Sequence, residues 1–370
     1  MNYIKNIEIK NFKSIRHQKI DDCRRVNVFI GYPNVGKSNI LEALSVFSIN
    51  EAHLDFSTFI RMENFTTLFF DGEINQFEFF DGEFKRQLEI KINEKHRVVV
   101  RFEDNTLFFK QQFETEGTSF EKEDLRFITL DDSAAVTVKS FNVEEKNKQI
   151  SNFKKGGIRR QDELAEVKKY QFLKHKEFLG KGYSSLSYPY GENIFNVIST
   201  NNILKKEVTE LFKSYNLELR YDARLQEFTI SKTTESGIFT IPYSMVADTL
   251  QRVIFYKAAI LSNKEKVLLF EEPEAHMFPP YISKFTSDII HDENNNQYFL
   301  ATHSPFVMND LILNVEKDEL AIYIVSYQKE SGETLIHRMD EEDVNEAYQF
   351  GYDFFMNINN FIPHKEHGQV

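Results

Sequence analysis

The sequence predicts an α/β fold: a mixed sheet with a parallel core, an antiparallel lobe near the N-terminus, and an insertion between the two halves. Three observations predict it. An apolar run at 26–30 enters a glycine-bearing loop that opens onto a helical pattern. Aromatic and polar residues alternate between 68 and 112. From residue 244 onward, strand and helix patterns alternate.

Residues 3–30 read as two strands, the first marked by Ile4, Ile7, Ile9, Phe12 and Ile15. Val26-Asn27-Val28-Phe29-Ile30 reads as a buried strand, because an unbroken apolar run suits a strand covered on both faces. It leads into Gly31-Tyr32-Pro33-Asn34-Val35-Gly36-Lys37-Ser38, which fits the phosphate-loop spacing G-x-x-x-x-G-K-[S/T]. The chemistry dictates the residue types. The two glycines let backbone N–H groups turn inward and cradle α- and β-phosphates. Lys37 reaches the β- and γ-phosphates, and the Ser38 hydroxyl coordinates Mg²⁺. Residues 38–47 read as a helix with Ile40, Leu41, Leu44 and Phe47 on one face. Its N-terminus points at the anion, which the helix dipole favours.

In the alternating stretch, Asp71-Gly72 and Asp81-Gly82 read as hairpin turns rather than acidic metal sites. Residues 120–215 change character and read as charged and helical. Between Lys146 and Lys181 stand eleven basic residues against four acidic ones. That stretch is either a patch for phosphate backbones or a solvated helical face or partner surface. Residues 217–242 read as a hairpin, and a helix runs from Ser244 to about Leu261. Strands follow at 267–270, 298–302 and 321–325, with helices from Tyr281 and Pro305 and a last amphipathic helix near 343–355. The expected division is 1–119 and 216–370 as two parts of one nucleotide head, with 120–215 as an inserted arm.

Two later strand ends carry chemistry. Val267-Leu268-Leu269-Phe270-Glu271-Glu272-Pro273 is an apolar strand ending in two carboxylates. A buried parallel strand delivers groups at its C-terminal end, where α/β sheets bind ligands. Glu271 is placed to hold Mg²⁺ through water, and Glu272 to act as general base on an attacking water. In Phe299-Leu300-Ala301-Thr302-His303-Ser304-Pro305, Ser304 reads as an N-cap and Pro305 as the first helical residue. That leaves His303 at the strand tip, able to donate to a γ-phosphate.

These motifs together resemble one family, the ABC-type ATPases of the SMC and RecF kind, nearest the OLD-like (overcoming-lysogenisation-defect) ATPases. The loop extends to Asn39 as in G-x-N-x-x-G-K-S-N. Phe270-Glu271-Glu272-Pro273-Glu274-Ala275-His276 is similar to the family's Walker B and D-loop run. Ala301-Thr302-His303-Ser304-Pro305-Phe306 is similar to its switch-histidine segment, and Ile7-Glu8-Ile9-Lys10-Asn11-Phe12-Lys13-Ser14-Ile15 to its first strand. The resemblance covers 1–50 and 240–315. It implies an ABC/SMC-type P-loop NTPase head carrying a helical arm, with ATP and Mg²⁺ as cofactors. Gly31, Asn34, Gly36, Lys37, Ser38 and Asn39 would bind ATP from one head of a homodimer or higher oligomer. Ser244, Asp248, Gln251 and Arg252 would meet the nucleotide of the second head. The family's signature glycines are Ala247 and Thr249 here, and no glutamine stands out as the Q-loop residue.

OLD nucleases add a C-terminal TOPRIM domain, and 67 residues follow His303, too few for one. The chain therefore resembles stand-alone ATPase subunits of anti-phage modules, which work with a separate effector such as a nuclease or toxin. A weakly hydrolysing, ATP-bound scaffold that restrains such an effector is the competing expectation.

Bulk properties bound these expectations. Net charge is −12, so nucleic acid would need a local patch such as 146–181. Cys23 is the only cysteine, which excludes an internal disulfide and a multi-cysteine zinc site. No apolar run reaches the ~20 residues of a membrane span, and no signal-like apolar stretch opens the chain. A soluble cytoplasmic protein is expected.

Overall fold

The computed structural model describes residues 3–49, 58–62, 65–70, 78–80, 83–85, 87–94, 96–103, 106–113, 124–130, 136–141, 166–174, 183–222, 227–350 and 354–362. In chain order, β1 (Ile7–Phe12), β2 (Ile15–Ile20) and β3 (Val26–Gly31) precede helix α1 (Lys37–Ser45). Next come β4 (Glu78–Phe80), β5 (Glu83–Lys85), β6 (Gln87–Ile92), β7 (His96–Glu103) and β8 (Thr106–Phe113). β9 (Asp124–Leu130), β10 (Val136–Phe141) and β11 (Val167–Tyr170) lead to α2 (Ile194–Thr200) and α3 (Asn202–Lys213). β12 (Glu218–Asp222), β13 (Glu227–Thr234) and β14 (Gly237–Pro242) precede α4 (Asp248–Ser262). The chain then alternates: β15 (Val267–Glu271), α5 (Pro279–Ile290), β16 (Gln297–Ala301), α6 (Pro305–Asn314), β17 (Leu320–Gln328), β18 (Glu333–Arg338) and α7 (Glu341–Phe350).

Two large sheets organise these elements. The six-stranded sheet runs β11-β15-β16-β3-β17-β18, parallel except for the β17–β18 pair. The seven-stranded antiparallel sheet runs β10-β9-β8-β7-β6-β1-β2. β12-β13-β14 form a third sheet, as the hairpin pattern at 217–242 predicts. Every residue of β3 and β16 is buried, which is why their sequences are mostly apolar without alternation, Asn27 and Gln297 being the polar exceptions. Phenylalanine fills the layer above the sheet. Phe270 of β15 packs edge-on against Tyr256 of α4 at 5.4 Å and Phe285 of α5 at 5.7 Å. On β3, Phe29 stacks on Tyr323 at 5.1 Å. The architecture is an α/β P-loop head with a mixed sheet and an antiparallel lobe.

Four local expectations are corrected. Residues 3–30 give three strands, not two, because Asn11 and Lys13 take positive φ (57° and 51°) and turn the chain so that Ile15 opens β2. The helix expected from Ser244 starts at Asp248, since a 3₁₀ turn at Tyr243–Met245 is followed by an extended Val246 and Ala247 is the N-cap. The described residues of 120–215 do not form a continuous helical arm. β9 and β10 extend the antiparallel sheet, β11 is an edge strand of the head sheet, and helix appears only in α2 and α3 among its described residues. The basic patch loses two members: Lys168 and Lys169 lie on β11 with 1% and 3% exposure, held inside by buried oxygen partners. Lys174 is exposed; Lys146, Lys148, Lys154, Lys155, Arg159, Arg160, Lys176 and Lys181 lie outside the described residues, as do the Asp71-Gly72 and Asp81-Gly82 turns.

Candidate functional site

Four parallel strands deliver their C-terminal ends to one edge. Their registers align: Tyr170 lies beside Phe270, Glu271 beside Ala301, and Ala301 beside Phe29. The residues that follow are therefore neighbours in space, although β3 and β16 are more than 260 positions apart. They border one cavity of about 780 Å³.

The loop after β3 is shaped by backbone conformation. Asn34 has φ 62° and Gly36 φ 97°, both left-handed. A Cβ on Gly36 would lie 2.1 Å from Thr334 Oγ1 of β18, so glycine is needed for space as well as for φ. Thr334 Oγ1 donates to the Val35 carbonyl at 2.8 Å, and its own oxygen is 2.6 Å from Ser14 Oγ. Asn39 Nδ2 donates to Ser14 Oγ at 2.7 Å. The loop is thus braced from the β1–β2 turn and from β18 before any ligand arrives.

Lys37 folds back on the loop. Its Nζ donates to the carbonyls of Gly31 at 2.9 Å and Tyr32 at 2.7 Å. Burial lowers its ammonium to about 8, with Glu272 opposing. Glu271 receives Arg61 Nη2 at 2.9 Å on Oε1 and has Lys169 Nζ at 3.6 Å from Oε2. Burial raises its carboxyl, but Lys169, a hydrogen bond with Ser38 and Arg61 outweigh it and hold it below its ordinary value. Glu272 has φ 42°, which swings its carboxylate outward, half-exposed, to 3.7 Å from His303 Nε2. Burial and Lys37 lower the His303 imidazole, with Glu272 opposing, so it favours the neutral form. Glu274 Oε1 accepts from Thr302 Oγ1 at 2.5 Å and from the His303 N–H at 3.1 Å, fixing the turn that carries the histidine. Ser304 caps α6 by accepting from Val307 N–H at 3.4 Å, as its N-cap position predicts.

The donor set suits a hard divalent cation. The Ser38 hydroxyl and the Glu271 carboxylate border the same cavity, and Mg²⁺ commonly takes one or two such protein oxygens and completes its shell with water and phosphate.

Over residues 26–309 the chain matches the family described as "AAA domain, putative AbiEii toxin, Type IV TA system". The chain belongs to that family. Its head is an ATPase-type P-loop domain. An ATP/GTP phosphatase of Helicobacter pylori (strain ATCC 700392 / 26695) is 23% identical over 330 residues, 81% of this chain and 85% of its own. The DNA replication and repair protein RecF of Thermoanaerobacter sp. (strain X514) is 36% identical over 50 residues, 14% of each chain. Among solved structures, an SmcHead bound to the C-winged helix domain of ScpA is 14% identical with a TM-score of 0.48, covering 93% of this chain and 99% of its own.

Within this AAA-family head, Gly36, Lys37, Ser38, Asn39, Asn34, Glu271, Glu272 and His303 all border the cavity. Gly31 begins the loop, where a Cβ would meet the Val325 carbonyl at 2.2 Å. The signature residues divide. Arg252 lines the cavity of its own head, 4.5 Å over the Phe172 ring, with Nε donating to Asp248 at 2.9 Å. Gln251 is 2% exposed, and its amide donates to the Val246 carbonyl at 2.7 Å. It is spent on shaping the turn before α4 instead of reaching a nucleotide. Ser244 sits in a short 3₁₀ turn away from the cavity lining.

Sequence reasoning missed Arg61, Lys169 and Gln171, which also line the cavity. Gln171 directly follows β11 and lines the cavity from that strand. Its only sequence signal was the end of a four-residue strand hidden in a charged stretch.

Proposed function

We propose that this chain is a Mg²⁺-dependent ATPase whose heads close in pairs around ATP and thereby control a separate effector protein. The convergence of Lys37, Glu272 and His303 on one cavity carries the proposal. In this scheme Gly31, Asn34, Gly36 and Asn39 shape the loop that wraps the phosphates, and Lys37 leaves its two carbonyls to bind the β- and γ-phosphates. Ser38 and Glu271 hold Mg²⁺, which when bound neutralises charge on the phosphate oxygens. Glu272, the freer of the paired carboxylates, orients and deprotonates water, and neutral His303 donates to the γ-phosphate. Gln171 contacts the same site from β11. Ser244 and Asp248 are offered to the second head, while Arg252 serves the cavity of its own head.

The similarity to an ATP/GTP phosphatase supports hydrolysis of a nucleoside triphosphate. A nuclease or toxin effector, a role in anti-phage defence or DNA transactions, and a cytoplasmic setting rest on family analogy. Phosphate release from ATP by the wild type and by Lys37→Ala tests the proposal: equal rates would end it.

A second reading, an ATP-bound scaffold of low turnover, draws on the signature segment. Gln251 is turned inward, and Thr249, at a family glycine position, donates to the His276 carbonyl at 3.0 Å. Steady-state turnover, alone and with DNA or the neighbouring gene product, separates the two.

A further inference from the structure

The carboxylate at the end of β15 already has cations on both oxygens. Arg61 Nη2 lies 2.9 Å from Glu271 Oε1, and Lys169 Nζ 3.6 Å from Oε2. The two are not alike. The Arg61 side chain is 67% exposed, so water can replace it on Glu271. The Lys169 side chain is 4% exposed and is pinned by donation to the Phe59 carbonyl at 2.9 Å. It reaches the site from β11, where its backbone pairs with Leu269 of β15. Rotation away from Glu271 would bury an uncompensated ammonium, which is costly. Arg61 is tied in turn to Glu42 of α1 at 2.7 Å, and fully buried Glu42 also holds Lys13. Lys169 is therefore the buried member of a charge network in which Arg61 is the solvent-exposed one.

We propose that Lys169 is a positioning residue: a built-in counter-cation that holds Glu271 in place without metal and sets the Mg²⁺ concentration at which nucleotide binds. This rests on the phosphate-loop site proposed above. The reasoning is electrostatic. A divalent ion on Ser38 and Glu271 would sit within a few ångströms of a buried positive charge, and such repulsion lowers its affinity by about tenfold or more. The same charge attracts triphosphate in the absence of metal. Removing it therefore has opposite effects on the two ligands, whereas loss of a purely structural ion pair would weaken both.

The test uses the full chain with Lys169→Met, and with Lys169→Gln, which keeps a donor for the Phe59 carbonyl. A fluorescent ATP analogue is titrated in EDTA and then, at fixed nucleotide, with Mg²⁺. The expected result is a half-saturating Mg²⁺ concentration about tenfold lower than wild type, with weaker nucleotide binding in EDTA. An unchanged or higher Mg²⁺ requirement in the folded variants would overturn the proposal. A measurement on the wild type does not depend on the variants folding. Nucleotide-free protein should bind Mn²⁺, followed by electron paramagnetic resonance, only weakly, with a Kd on the order of 1 mM or above, because both Glu271 oxygens are already paired. Tight Mn²⁺ binding there would also overturn it. Lys37→Ala runs in parallel: if that variant keeps its nucleotide affinity, the phosphate-loop reading itself is what fails.

Discussion

His303 Nε2 stands 3.7 Å from Glu272 Oε1, joining the ends of β16 and β15 across the mouth of the phosphate-loop cavity. The pair is too far apart for a strong hydrogen bond and close enough for one water molecule to bridge it, donating to the carboxylate. Glu272 has positive φ and a backbone N–H donated to the Ala301 carbonyl at 2.8 Å, so its placement comes from backbone, not from side-chain partners. Replacing the carboxylate with an amide should leave the fold intact and remove the base. Glu272→Gln is expected to bind nucleotide with near wild-type affinity and lose about 10²–10⁴-fold in turnover. Sizing of the nucleotide-bound variant should show accumulation of a dimer. Wild-type phosphate release by this variant would refute the role given to Glu272.

Lys37 makes nucleotide binding depend on pH. Its ammonium titrates near about 8 in the free protein because of burial, and triphosphate requires it charged. Affinity should therefore fall as pH rises above about 8, by up to about tenfold per unit. The stability effect has the opposite sign. An unfolded lysine titrates near 10.5, so between the two values the unfolded chain holds more protons. The Lys37 contribution thus makes the nucleotide-free fold more stable as pH rises through that window. Binding titrations from about pH 7 to about 9.5 at constant ionic strength check the first claim; a flat profile would contradict it.

Gly36→Ala should damage the loop in two ways. Alanine disfavours φ 97° by about 1–2 kcal/mol, and its Cβ would displace Thr334. Thermal unfolding should shift downward by a few degrees, and nucleotide affinity should drop more steeply than stability. Retained affinity in a folded Gly36→Ala variant would show that the Thr334 brace does not shape the phosphate cradle.

Glu274 offers a test of positioning. Its Oε1 holds Thr302 and the His303 N–H, and its Oε2 has no hydrogen-bond partner among the described residues. Glu274→Gln keeps the useful acceptor and should stay within about twofold of wild type. Glu274→Ala frees the turn and should lower kcat about tenfold with little change in KM. Equal behaviour of the two variants would remove Glu274 from the account of His303.

Much of the site was legible in the chain itself. The phosphate-loop spacing, the acidic end of an apolar strand, and the Ser304-Pro305 helix start are local patterns, set by steric and hydrogen-bonding demands within a few residues. They were enough to name Lys37, Ser38, Glu271, Glu272 and His303 and to place the last three at strand ends. Tertiary structure decided the rest. Val167-Lys168-Lys169-Tyr170 carries two adjacent lysines in a charged stretch, and charge density reads as solvent exposure. Its burial depends on distant partners: β15 supplies the ladder, Asn263 receives Lys168 at 2.8 Å, and Glu271 lies 3.6 Å from Lys169. Gln251 likewise turned inward because the extended Val246 before α4 left its carbonyl needing a donor. Local order is written in neighbouring residues, whereas the burial of a charge is settled only by whichever groups the fold brings to meet it.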